Sequence, residues 1–139
     1  MFEFHGWVSV RSDTYEIDAE PDDKLLAALK AQIATFEKVS GMVAVHLDTH
    51  LNGSLHSLTV AGLTNHRFEP AMDLFEWIAE HGPGSYGLLY VWDQEDGRAD
   101  YAHGFRVWRL SRGRLKEVSD PFLSPCIPTV EDPHDPARG

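Results

Sequence analysis

Val43-Ala-Val-His-Leu-Asp-Thr-His-Leu51, Asn52-Gly53 and Ser54-Leu-His-Ser-Leu-Thr-Val-Ala-Gly-Leu63 together decide the fold. Two strand-like runs, 42–51 and 54–63, are joined by a dipeptide suited to a two-residue hairpin turn, whose central residues take positive φ. Such a turn sets the register: Leu51 faces Ser54, Thr49 faces His56, Leu47 faces Leu58 and Val45 faces Val60. Side chains alternate along a strand, so Val43, Val45, Leu47, Leu58 and Val60 share a core face. His46, Asp48, His50, Leu55, Ser57 and Thr59 share the other, mostly wet, face.

A helical pattern lies on either side of this hairpin. Before it, Leu25, Leu26, Leu29, Ile33 and Phe36 repeat at helical spacing from about Pro21 to Val39. Lys24, Lys30 and Lys38 lie off that stripe, and Gly41 is a plausible stop. After it, Ala71, Leu74, Phe75 and Ile78 form the apolar face of a helix over about 70–81, ended by Gly82-Pro83-Gly84. Residues 2–11 read as a strand with Phe2, Phe4, Val8 and Val10 on one face. Gly6 marks either a bulge or a close backbone approach. Residues 85–92 are apolar on both faces and read as a central strand. Returning strands follow at 101–111 and 114–118, with Arg112-Gly113 as the turn between them.

The resulting order, β-α-β-β-α-β-β-β, predicts an α+β two-layer sandwich. Its sheet is mostly antiparallel, with both helices packed on one face. The whole chain, 1–139, is expected to form one domain. Residues 120–132, Asp120-Pro-Phe-Leu-Ser-Pro-Cys-Ile-Pro-Thr-Val-Glu-Asp132, are too proline-rich for a helix or a central strand. They should run as an extended strap that buries Phe122, Leu123, Ile127 and Val130, leaving 133–139 as a frayed tail.

The net charge of −10 argues against nucleic acid as a partner, because phosphate binding needs clustered bases. The charge is uneven: 5 bases against 16 acids in residues 1–97, 6 against 1 in 98–116, and 1 against 5 in 117–139. Asp13, Glu16, Asp18, Glu20, Asp22 and Asp23 form the sharpest acidic run. It is either a solvated loop leading into a helix start or a patch that steers a basic protein into contact. Asp93, Glu95 and Asp96 form a second acidic turn that could extend such a surface. Arg106, Arg109, Arg112, Arg114 and Lys116 are the one basic cluster, and internal ion pairing is the favoured reading of it.

No apolar run approaches the ~20 residues of a membrane span, and the N-terminus has no signal-peptide pattern. Cys126 is the only cysteine. A lone cysteine makes no internal disulfide and suits a reducing cytoplasm. Its apolar neighbours point to packing rather than nucleophilic chemistry.

For chemistry, His46, Asp48 and His50 stand at alternate positions of one strand and point the same way. That set offers a small metal-dependent hydrolase as an alternative reading. Its outer members, however, are about 13 Å apart on an extended strand, too far to share one ion without a bend. His56 and His103 lie near apolar strand positions where a carboxylate could make them acid–base groups. There is no nucleophile elbow, P-loop or dinucleotide fingerprint. No cofactor is expected.

Two stretches, Phe4-His-Gly-Trp7 and Gly113-Arg-Leu-Lys-Glu-Val-Ser-Asp-Pro-Phe-Leu-Ser-Pro-Cys-Ile-Pro-Thr-Val-Glu-Asp132, resemble the seventh immunity-protein family of bacterial polymorphic toxin systems. The resemblance implies an α+β cytoplasmic protein, encoded beside a toxin, that binds and blocks the toxin's effector domain. It supplies no catalytic residues. It raises the expectation that the acidic run contacts a basic toxin, with this chain a monomer or weak dimer when free.

Overall fold

The computed structural model describes residues 1–15, 19–37, 43–50, 53, 55–98 and 103–139, with only the backbone at 19–21 and 36–37. Six strands form one antiparallel sheet: β1 (Phe2–Ser9), β2 (Val43–His50), β3 (Leu55–Thr64), β4 (Tyr86–Asp93), β5 (Arg106–Ser111) and β6 (Arg114–Ser119). Helix α1 (Ala19–Glu37) connects β1 to β2, and α2 (Glu69–His81) connects β3 to β4. The strand order is β2-β3-β1-β4-β5-β6. Each helical crossover therefore skips one strand: α1 passes the place β3 will take, and α2 passes β1. This split arrangement puts the N-terminal strand near the middle of the sheet.

The hairpin register is the one its turn dictates. Val45 pairs with Val60, Leu47 with Leu58 and Thr49 with His56. Gly53 has φ +88, a backbone conformation that favours glycine; Leu51, Asn52 and Ser54 lie outside the described residues. Val45, Leu58 and Val60 are buried, with Val43 and Leu47 packed at the core's margin.

Phe2, Phe4, Val8 and Val10 all face the helices and are at most 2% exposed. Gly6 shares their face, and its register with Val60 and Leu89 is unbroken, so it is no bulge. A Cβ there would come within 2.9 Å of both Leu89 Cδ1 and Phe75 Cζ. The missing side chain lets the Phe75 ring of α2 settle on the sheet.

On α1, Leu25, Leu26, Leu29 and Ile33 are buried; the Phe36 side chain, Lys38, Val39 and Gly41 lie outside the described parts. On α2, Ala71, Met72, Leu74, Phe75, Ile78 and Ala79 are buried. Trp77 is half-buried and stacks on His81, with ring centroids 4.2 Å apart. Helix α1 lies over β2, and α2 lies over β5 and β6.

The C-terminal segment departs from expectation. Phe122, Leu123, Ile127 and Val130 are 76%, 42%, 36% and 48% exposed. The buried member is Cys126, which joins Trp92 and Phe105, with Tyr90 at the edge, in a second small cluster. Tyr90 and Trp92 alternate with Leu89 and Val91, so this cluster sits on the face of the sheet opposite the helices.

Polar bonds do the rest of the anchoring. The Asp120 carboxylate accepts from Phe122 N (2.9 Å), Leu123 N (3.0 Å) and Ser124 Oγ (2.9 Å). Ser124 Oγ accepts from Phe105 N at 2.8 Å, and Cys126 N donates to the His103 carbonyl at 2.6 Å. Cys126–Thr129 then makes a short kinked turn (α3), interrupted by extended backbone at Ile127 (φ −109, ψ 116), and Pro136–Arg138 a 3-10 turn. Strand β5 starts at Arg106 rather than near 101; of the intervening residues, 101 and 102 lie outside the described ones.

Candidate functional site

The described part of the acidic run, Asp13, Asp22 and Asp23, sits at one end of the sheet, where β1 runs out and β4 begins. Ser85, 1% exposed, ties the two together: its Oγ accepts from Arg11 N at 2.9 Å and donates to the Arg11 carbonyl at 3.1 Å. Gly84 then lies so close to Asp13 that a Cβ would overlap the Asp13 carbonyl. Asp13 is exposed, and its carboxylate accepts from Tyr15 N at 3.1 Å. Asp22, in the first turns of α1, accepts from Ser12 N at 2.8 Å and so fastens the loop to the helix. Asp23 is exposed. Glu16 and Asp18 lie outside the described residues, as does the Glu20 side chain.

Asp93, Glu95 and Asp96 are elsewhere. They follow the far end of β4, seven residue steps from Tyr86, or about 23 Å along an extended strand. Glu95 pairs with His66 at 3.0 Å in the open. The Asp93 carboxylate accepts from Glu95 N at 2.9 Å. Asp96 is inward-looking: its side chain is 8% exposed and pairs with Arg98 and with the buried Arg106. Arg106 and Arg98 also pair with Glu117. The structure thus brings Asp13, Asp22 and Asp23 together and holds Asp93, Glu95 and Asp96 apart from them.

The basic cluster divides in two. Arg106 faces the helices and is consumed by its ion pairs. Arg109 (β5), Arg114 and Lys116 (β6) are exposed on the opposite face, and with Ser111 and Arg112 they line a hollow of about 410 Å³. Internal ion pairing therefore describes Arg106 only. Among the described residues, no carboxylate pairs with Arg109, Arg112, Arg114 or Lys116.

The histidines do not assemble a reaction centre. His46, Asp48 and His50 are exposed along β2, an edge strand, and among the described residues no three metal-ligating side chains converge. His56 is buried and bonds Thr49 Oγ1 at 3.0 Å, while His103 is exposed in a turn; neither meets a carboxylate among the described residues. The hydrolase reading finds no support in this geometry. Burial pushes the Cys126 thiol above its ordinary value, with Glu131 and Asp120 adding to the effect. That is the opposite of an activated nucleophile.

The alternation of residues 2–11 leaves Trp7 exposed, but nothing in the sequence pairs it with Tyr86. They meet edge to face on the helix-free side, centroids 6.2 Å apart, 45% and 46% exposed. No described helix is long and apolar enough to cross a membrane.

Among known proteins, the model of one family, Immunity protein 7, matches residues 1–132. No curated protein and no solved structure matches the chain. With the match spanning nearly its whole length, the chain belongs to the immunity protein 7 family and is thereby an immunity protein against a polymorphic toxin.

Proposed function

We propose that this immunity protein works in the cytoplasm of the producing cell, by occluding the effector domain of its toxin and without catalysis of its own. The observation that carries the reading is the family match over residues 1–132. Inhibition by contact needs a surface and not a reaction centre, and the described residues offer charged surfaces.

The toxin's effector domain is basic in this reading, as a domain acting on nucleic acid must be. Asp13, Glu16, Asp18, Glu20, Asp22 and Asp23 then meet it and steer the encounter; Asp93 and Glu95 offer a smaller second contact, and Asp96 supports that turn from within. A chain of net charge −10 gains most from such steering in the rate of association. Speed matters because free toxin harms the cell that makes it. The free protein is a monomer or weak dimer.

The test is co-expression with the toxin domain encoded by the neighbouring gene. Growth should be rescued by the wild-type chain, and the two proteins should co-purify. The variant Asp18→Lys/Glu20→Lys/Asp23→Lys, which leaves the Asp22 contact to Ser12 intact, should protect poorly and associate at least tenfold more slowly. Full protection with an unchanged association rate would remove the acidic run from the interface.

A further inference from the structure

Among the described residues, helices cover only one face of the sheet, and α3 with its flanks covers only the Tyr90–Trp92 end of the other. The rest of that second face is open and has a definite composition. One cross-strand row reads His46, Thr59, Trp7, Leu88, Arg109, Lys116 from β2 to β6. The next row carries Tyr86, Ser111 and Arg114. An exposed Trp–Tyr pair beside three arginines and a lysine is the residue mix that dominates binding energy at protein interfaces.

The charge pattern is costly for an isolated chain. Arg109 and Lys116 stand directly opposite each other, an arrangement that destabilises a sheet unless something anionic lies between or over them. No described carboxylate does so. The same end of the sheet carries Asp13 beside Gly84, two residues before Tyr86. Acidic and basic patches therefore flank the aromatic pair, and the surface is bipolar.

We propose that the helix-free face is a docking surface for a carboxylate-rich protein segment, supplied by the toxin and seated on Trp7 and Tyr86 with its carboxylates at Arg109, Arg114 and Lys116. This rests on the reading of the chain as a toxin-binding inhibitor and adds the chemistry of a second contact. Protein carboxylates fit better than a nucleic-acid strand. A polyanion following the sheet would run into Asp48 at one edge and Asp13 at the near end, whereas a folded partner can oppose each patch with its own complement. Two patches of opposite sign also fix the orientation of docking, which one cannot.

The experiment uses the ¹⁵N-labelled full chain at low salt, with the Trp7 indole signal identified by Trp7→Phe. Titration with a deca-glutamate peptide should shift that indole and the amides of residues 109–116 saturably. Arg109→Glu/Lys116→Glu, both exposed positions, should weaken the binding at least tenfold while keeping the remaining spectrum. No shift at millimolar peptide, shifts elsewhere, or equal binding by the variant would overturn the proposal. So would tighter binding of a ten-residue oligothymidylate, which would assign the face to nucleic acid.

An inactivated toxin domain forms the second arm. The variant should bind it at least tenfold more weakly than wild type. Equal binding of both overturns this interface and leaves the toxin reading standing. Peptide binding as expected with no toxin binding by either chain overturns the toxin as partner, and with it the toxin reading, while the carboxylate chemistry of the face survives.

Discussion

Arg109 on β5 and Lys116 on β6 face each other across the ladder with no described carboxylate to separate them. Directly opposed like charges cost a sheet a fraction of a kcal/mol, and opposite charges return a similar amount. Arg109→Glu should therefore raise stability by about 0.5 kcal/mol, read from the midpoint of urea unfolding. The same change should weaken association with the toxin domain. A substitution that helps the fold and harms binding is the mark of a surface kept for a partner. Loss of stability in Arg109→Glu would mean that the arginine has a structural role.

Arg106 is the reverse case. It is 4% exposed and pairs with Asp96 and Glu117 beneath the rim of the sheet. Arg106→Ala leaves two carboxylates whose remaining cation among the described residues is Arg98, and should cost about 3 kcal/mol. Binding by the fraction that remains folded should be unchanged. Equilibrium unfolding and a binding isotherm on the same preparation separate the two effects.

Asp120, and not the apolar side chains around it, should hold the C-terminal segment. Asp120→Ala removes the buried acceptor of four bonds, three from within the segment and a longer one from the Tyr90 hydroxyl at 3.4 Å, and should cost about 3 kcal/mol. Phe122→Ser, at a side chain 76% exposed, should stay within about 0.5 kcal/mol of wild type. Limited proteolysis should cut the 120–132 segment early in the first variant and not in the second.

The Cys126 thiol should resist modification in the folded protein, since burial favours its neutral form. Titration with a chromogenic disulfide at pH 8 should show no fast phase, and a full equivalent after unfolding. The stability consequence has a definite sign. Cys126 and Tyr90 are both raised in the folded state, from ordinary values of 9.0 and 10.0, each mainly by burial. Above those values the unfolded chain has released protons that the folded chain still holds, so stability falls as pH rises. Unfolding midpoints should be flat for these groups up to about pH 8 and decline above pH 9. Cys126→Ser should remove the thiol's share of that decline.

Much of the architecture was legible because local rules agreed with one another. Asn52-Gly53 fixed a register that also put every β-branched core residue of the hairpin on one face. The alternation of residues 2–11 and the stripes at Leu25–Ile33 and Ala71–Ile78 identified the buried faces. Strand order was not legible, since nothing local says that β3 returns beside β1. The C-terminal segment departs from its sequence expectation because apolar content there does not mean burial. The anchor there is an Asp followed by two backbone N–H groups within reach of its carboxylate, a local turn pattern that was present at Asp120. At the candidate site, the acidic run was visible as composition. Its separation from Asp93 depends on the length of β4, and the open Trp7–Tyr86 face becomes evident only once both helices are placed on the other side.

On the proposed function, a charged surface of this immunity protein captures the toxin's effector domain. Stopped-flow association of the purified chain with the inactivated toxin domain, measured from low to physiological salt, tests it most directly. The rate should be fast at low salt, fall steeply as salt rises, and drop at least tenfold in Asp18→Lys/Glu20→Lys/Asp23→Lys. A rate insensitive to both salt and these substitutions would contradict the claim.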